Sequence, residues 1–275
     1  MRYHTITLVT ILGLVLAPVA AESVLPIFDA HVHYNEEALV SFKPKAVMTL
    51  MDQAGVTRAL VSSTPDDGTL RLHQENSRRI VPILRPYRSQ GDMYDWFRSE
   101  ETLAYVEKRL QRRIYQGIGE FHLMDETQAR TPQMARLIAL AIERDIVLHV
   151  HSDAGPVRAL FAADPRLKIL WAHAGVFASS EEISELLDRY PKLWTELSLR
   201  APHIAPNGRL DAAWRELFLR HPDRFMIGTD TWTASRWHEY QRLVQEHRRW
   251  LAQLPEHIAQ HIAYRNAERI FARRR

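Results

Sequence analysis

Phe28-Asp29-Ala30-His31-Val32-His33 is the stretch that decides the fold: it closes an apolar run and sets two histidines one residue apart. On a β-strand, residues i and i+2 share a face, so both imidazoles project together and can chelate one cation. A His-x-His pair alone is a weak signal, because such pairs are more often two partly exposed histidines. Here four further strand-like runs each end in a potential ligand, Glu120, His151, His173 and Asp230. For all of them to fall at matching strand ends by chance is far less probable than any one coincidence.

The strand-like runs are Val24–Ala30, Thr57–Ser62, Ile80–Arg85, Gly117–His122, Ile146–His151, Leu167–His173, Leu193–Ser198 and Phe225–Asp230, eight in all. Helical stretches separate them, the pattern of βαβ units in a parallel sheet. Eight such units in 275 residues favour a single (β/α)8 barrel over an open sheet, with catalytic groups at the C-terminal strand ends. Helix punctuation agrees. Thr131-Pro132 reads as N-cap and first helical residue, and Ser179 with Glu182 as a capping box. Ser99 opens a helix reaching about Arg112, and Gly55 stands where a glycine ends the first long helix. Helices over Trp237–Leu251 and Pro255–Ala272 are expected to close the barrel.

A net charge of +3 and 46% hydrophobic residues suit a globular enzyme and give no clear nucleic-acid surface, which needs a clustered basic face. Arg2, the apolar run Ile6–Leu16 and the small residues Val19 and Ala21 resemble an export signal cleaved after Ala21. The expected division is therefore a signal segment 1–21 and one domain 22–275, with no membrane span once the signal is removed. With no cysteine in the chain, disulfides and thiolate ligands are excluded, so any metal must be held by imidazole and carboxylate. An exported chain without cysteine suits the periplasm, with full secretion as the other destination. A homo-oligomer is compatible with the sequence.

The motifs Asp29-Ala30-His31-Val32-His33, Gly117-Ile118-Gly119-Glu120, His151-Ser152-Asp153-Ala154, Ala172-His173-Ala174-Gly175 and Gly228-Thr229-Asp230 resemble the amidohydrolase superfamily. The likeness is to its amidohydrolase-related branch, with a TatD-like ligand set. It implies a barrel hydrolase with one or two divalent metals, commonly zinc, and a metal-activated water as nucleophile. By position, His31, His33 and Asp230 match the ligands of a first metal, and His151 and His173 those of a second. Glu120 stands where relatives place a bridging carboxylate. His149 shares a face with His151; His151 is preferred because it lies nearer the strand end, leaving His149 to a hydrogen-bonded core role. Asp230 is placed to take the water's proton and pass it to the leaving group.

Several neighbours are candidate pocket residues. Arg85 and Arg88 could clamp a carboxylate or phosphate, Arg88 being the better candidate for a surface ion pair. His122 shares the Glu120 face and could equally touch substrate or support a ligand, and Trp232 could form an apolar wall or pack on the last helices. Glu196 and Ser198 are expected to support the ligands from behind. Tyr94, Trp96 and Phe97 read as a hydrophobic anchor for the insertion between the third and fourth strands rather than as a substrate platform. The expected function is hydrolysis of an ester, lactone or amide of a small molecule. The alternatives are decarboxylation of a small unsaturated or aromatic acid, and a TatD-like phosphoesterase or nuclease.

Overall fold

Between Ile27 and Ile270 the apolar runs form parallel strands and the stretches between them form helices. The computed structural model describes residues 24–272, so the signal-like segment 1–21 and Arg273-Arg274-Arg275 lie outside the described residues. The strands are β1 (Ile27–Val32), β2 (Val56–Val61), β3 (Ile80–Pro82), β4 (Gly117–His122), β5 (Val147–His151), β6 (Ile169–Trp171), β7 (Leu193–Glu196) and β8 (Phe225–Met226). The helices are α1 (Glu36–Ser41), α2 (Pro44–Gln53), α3 (Asp67–Glu75), α4 (Glu100–Leu110), α5 (Pro132–Glu143), α6 (Ala154–Ala163) and α7 (Ser180–Arg189). Then come α8 (Ala201–Ile204), α9 (Ala212–Arg220), α10 (Ala234–His238), α11 (Tyr240–Leu251), α12 (Glu256–Gln260) and α13 (Asn266–Ile270).

The strands make two parallel sheets, β1-β2-β3 and β4-β5-β6-β7-β8. Single bridges join the sheets at both seams, Leu84 to Ile118 and Asp29 to Ile227. Leu84 N–H donates to Gly117 O at 3.0 Å and Ala30 N–H to Ile227 O at 2.7 Å. The one continuous ladder expected from the sequence is thus interrupted twice, because the strands at the seams are short. β3 stops at Pro82 rather than Arg85, and β8 at Met226 rather than Asp230. β6 stops at Trp171 and β7 at Glu196, while β1 starts at Ile27, leaving Val24 exposed. His173, Leu199 and Asp230 have φ of 57°, 62° and 52°, and a left-handed residue turns the chain out of the ladder.

β1 carries an irregularity that simple alternation misses. Phe28 and Ala30 pack in an inner cluster with Leu60, Val81, Val147, Leu170 and Met226. Strict alternation would send His31 to the opposite face, but a register shift between Asp29 and Val32 keeps His31 and His33 on the inner side. Ala267 and Phe271, from α13 and its end, complete the inner cluster. A larger cluster, including Val32, Val61, Phe121 and Trp250, packs the outer strand faces against the helices. The inner space is therefore apolar toward the strand starts and polar toward their ends.

The caps form largely as expected. Ser99, Thr131 and Ser179 accept from the N–H of Thr102, Met134 and Glu182. The expected capping box is half made, since the Glu182 carboxylate pairs with Arg158 at 3.2 Å instead. Gly55, with φ 65°, follows the last turn of α2. The closing helices are more broken than expected: Glu239 separates α10 from α11, and a π turn at His261–Arg265 joins α12 to α13.

His247 of α11 is buried and donates from Nε2 to Gly228 O at 3.0 Å. Burial lowers its pKa to about 4, against about 6.5 in an unfolded chain. Between those values the unfolded chain binds the proton and the folded one does not, so stability is lost as pH falls through this window. The full difference is about 3 kcal/mol. His247→Gln, which keeps a donor toward Gly228, should flatten the fall in urea midpoint between pH 6.5 and 4 relative to the parent; an unaltered slope would contradict this assignment.

Candidate metal centre

The six donors named from the sequence sit at or just beyond the C-terminal strand ends, and the fold brings all of them together. His31 is in β1 and His33 one residue past it, Glu120 is in β4, and His151 ends β5. His173 and Asp230 lie in the turns after β6 and β8. His31 Nε2 and His33 Nε2 are 3.0 Å apart, and Asp230 Oδ1 is 3.5 and 3.4 Å from them. Glu120 Oε2 is 3.4 Å from His31 Nε2 and 3.1 Å from His33 Nε2. The edge of a tetrahedron with zinc-like bonds of about 2.0–2.1 Å is about 3.3 Å, so these two nitrogens and two oxygens have the spacing of one coordination shell. On the other side, Glu120 Oε1 lies 2.8 Å from His151 Nδ1 and 3.4 Å from His173 Nε2, which are 3.1 Å from each other. Glu120 thus presents one oxygen to each half.

The imidazoles are aimed by what holds their far nitrogens. His31 Nδ1–H donates to Glu196 Oε1 at 2.9 Å and His33 Nδ1–H to Ser62 O at 2.7 Å. His173 Nδ1 meets Ser198 Oγ at 2.7 Å. With Nδ1 donating on His31 and His33, both Nε2 atoms carry lone pairs. Two lone pairs 3.0 Å apart repel unless a proton or cation lies between them. The donor set fits a divalent cation on that ground, and its carboxylates and imidazoles suit zinc or another borderline ion.

Electrostatics point the same way. Glu120, Glu196 and Asp230 converge on the buried cage, and Arg85 is the formal cation that touches it, 3.2 Å from Glu120. Burial disfavours charge on His31, yet Glu196, Asp230 and Glu120 together push its pKa well above the ordinary value. Burial likewise opposes ionisation of Glu120, but His31 and the hydrogen bonds from His151 and His173 hold it well below the usual carboxylate range. The cage favours positive charge.

Other residues depart from expectation. Arg85 is buried and turned inward to Glu120, through Oε2 at 3.2 Å and the main-chain carbonyl at 3.0 Å. Arg88 forms the surface pair, with Asp92. His149 is buried deeper, its ring 4.6 Å from that of His31, and neither ring nitrogen has a hydrogen-bond partner. The core placement holds for it and the hydrogen bond does not. Trp232 is exposed rather than packed on the last helices, its carbonyl accepting from Asn35. Trp96 and Phe97 are anchors, Trp96 donating to His122 O, whereas Tyr94 is exposed.

Sequence reading missed three supports. Asp29 accepts from Thr229 Oγ1 at 2.6 Å and from Tyr240 at 2.9 Å, tying β1 to the turn after β8. Ser62 carries His33. Tyr87 Oη accepts from the His122 main-chain N–H at 2.8 Å and faces His122 Nδ1 at 2.9 Å. Only the Asp before His-x-His carried a signal, as a buried-strand carboxylate needing partners.

Glu196 also accepts from the main-chain N–H of His173 and Ser198, so an amide there would face donors with a donor. Glu196→Gln should therefore weaken metal binding about 10–100-fold, read by competition with a chromogenic chelator; affinity equal to the parent would show that Glu196 does not orient His31.

The sequence model of the amidohydrolase family matches residues 28–273. No curated protein matches the chain in sequence. Among solved structures, an amidohydrolase from Burkholderia multivorans with bound zinc is 17% identical with a TM-score of 0.60, covering 90% of this chain and 99% of that one. A protein from Pseudomonas putida described as a 2-pyrone-4,6-dicarboxylic acid hydrolase is 18% identical, TM-score 0.62, with 90% and 97% covered. The 5-carboxyvanillate decarboxylase of Sphingomonas paucimobilis is 14% identical, TM-score 0.58, with 90% and 99% covered. At these identities the likeness is one of fold, and the match along the sequence shows the family: the chain belongs to the amidohydrolases and is an enzyme of that family.

Proposed function

We propose that the two sheets constitute one (β/α)8 barrel and that its C-terminal rim holds one or two divalent ions, zinc foremost, for hydrolysis of an ester, lactone or amide. The bridges at both seams support the barrel. The observation that carries the chemistry is Glu120, buried with one oxygen toward His31 and His33 and the other toward His151 and His173. A bridging carboxylate of this kind favours hydrolysis over decarboxylation. Export to the periplasm, supported by the signal-like segment, and a small-molecule substrate belong to the same reading.

In this reading His31, His33 and Asp230 would hold the first ion and His151 and His173 the second, with Glu120 available to either. A bound divalent ion supplies hydroxide at neutral pH and polarises the oxygen under attack. The Asp230 carboxylate, through the oxygen not turned to the ion, takes the attacking water's proton and returns it to the departing oxygen or nitrogen. Arg236, donating to the carbonyls of Thr229 and Asp230, holds the Asp230 turn still. His122 stacks on His151 at 4.2 Å, and burial lowers its pKa to about 3, so it is a neutral ring. With Nδ1 accepting from Tyr87, its Nε2–H is a fixed donor for a substrate oxygen.

Elemental analysis of protein purified without chelators should find one to two divalent ions per chain, and His31→Ala should lose most of them. Asp230→Asn should cut kcat about 10²–10⁴-fold on whichever ester, lactone or amide is turned over, with a thermal midpoint within a few degrees of the parent. Metal-free protein, an unaffected Asp230→Asn variant, or turnover confined to phosphoesters would overturn the reading.

A further inference from the structure

The loops around the cage are apolar on the outside. Met124, Phe177, Leu199 and Trp232 are large hydrophobic residues exposed by 72%, 85%, 47% and 56%. Each is tied by the chain to the centre: Met124 follows His122 by two residues, Phe177 follows His173 by four, Leu199 adjoins Ser198, and Trp232 follows Asp230 by two. They rise from the segments after β4, β6, β7 and β8. Scattered exposed hydrophobics need no explanation, but a cluster of them around one mouth does.

The arginines of the same rim are already engaged. Arg85 is held by Glu120 and Arg88 by Asp92. Arg200 donates to the carbonyls of Gly175, Val176 and Ala178, and Arg236 to those of Thr229 and Asp230. Of the outer ones, Arg98 lies over the Phe97 ring and Arg130 faces Glu126. Among the described residues Arg85, Arg88, Arg200 and Arg236 are thus committed to protein oxygens, and a carboxylate-bearing substrate would have to displace those contacts. Around Phe177, a groove of about 580 Å³ is walled by Phe177, Pro202, Pro206 and Trp214, with Arg200 and Asp211 also on its lining, within the range of small-molecule sites.

We propose that the substrate is electrically neutral and carries an apolar acyl or alkyl arm that lies across this collar and into the groove beside Phe177. The proposal rests on the hydrolytic reading above and adds the polarity and shape of what is hydrolysed.

The test uses the metal-loaded chain with 4-nitrophenyl acetate, butyrate, hexanoate and octanoate, and with mono-4-nitrophenyl adipate as the hexanoate analogue bearing a terminal carboxylate. Specificity kcat/KM should rise roughly 2- to 4-fold per methylene, and the adipate ester should be the poorer of the six-carbon pair by about 10-fold or more. Phe177→Ser and Met124→Ser should bring the octanoate-to-acetate ratio toward one, mainly through KM, whereas Leu219→Ser, on α9, should not alter it. A flat or falling chain-length profile, or an adipate ester as good as the hexanoate, overturns the proposal even where Asp230→Asn shows that ester hydrolysis is real. Should no ester turn over, the hydrolytic reading fails and binding decides. Calorimetry must then show octanamide bound at least 10-fold more tightly than acetamide and weakened in Phe177→Ser; equal binding of the two amides overturns the apolar arm.

Discussion

The constraint on which the rest depends is the burial of several carboxylates in one small space. Glu120 and Glu196 are 3% and 0% exposed, with Asp230 close behind at 5%, and such charges cost several kcal/mol each unless paired. Arg85 and the main-chain N–H groups of His173 and Ser198 answer part of that demand. The remainder is answered by the imidazoles and by whatever positive charge sits among them. A fold that gathers these groups is thus coupled to any cation they take up: the same attraction that would bind the cation would make the polar end of the inner space tolerable.

Division of labour along the strands follows from this. The inner cluster of Phe28, Leu60, Val81, Leu170 and Phe271 fills the space near the strand starts, with the Arg58 guanidinium lying over the Phe28 ring. One layer up, Gly119 and Gly228 permit close approaches that a side chain would block. A Cβ on Gly119 would stand 2.1 Å from His149 O, and one on Gly228 2.0 Å from Glu196 Oε2. The missing side chains let β4 close against β5 and let Glu196 reach beneath His31. Packing below and hydrogen bonds behind leave the donors few alternative rotamers, which is what preorganisation of a site means in structural terms.

What the sequence revealed was chemical identity and approximate position. His31, His33, Glu120, His151, His173 and Asp230 were legible because imidazole and carboxylate at the ends of apolar runs have few structural uses. What it hid was the backbone path. The register shift in β1 and the early endings of β3, β6 and β8 depend on which main-chain groups find partners across the seams, and no local pattern encodes that. The inward turn of Arg85 was hidden for a similar reason, since a guanidinium after a strand can face outward or be drawn inward by a buried carboxylate. Only the placement of Glu120 settles which. The lone ring nitrogens of His149 were equally invisible, because its neighbours come from β1 and β7, far away in the chain.

The left-handed residues connect the hidden backbone path to the chemistry. For a non-glycine residue this conformation costs on the order of 1 kcal/mol or more, and two of the donors, His173 and Asp230, adopt it. Each is held there by contacts to the centre itself. His173 N–H is bound by Glu196, and Asp230 N–H donates to His31 O at 2.7 Å while Arg236 grips its carbonyl. A relaxed extended residue at either position would keep its side chain on the course set by the preceding strand. Turning the chain one step early instead swings imidazole and carboxylate over the open end of the inner space, toward ligands from β1 and β4. The interrupted strands and the meeting of the donors are thus two views of the same turns.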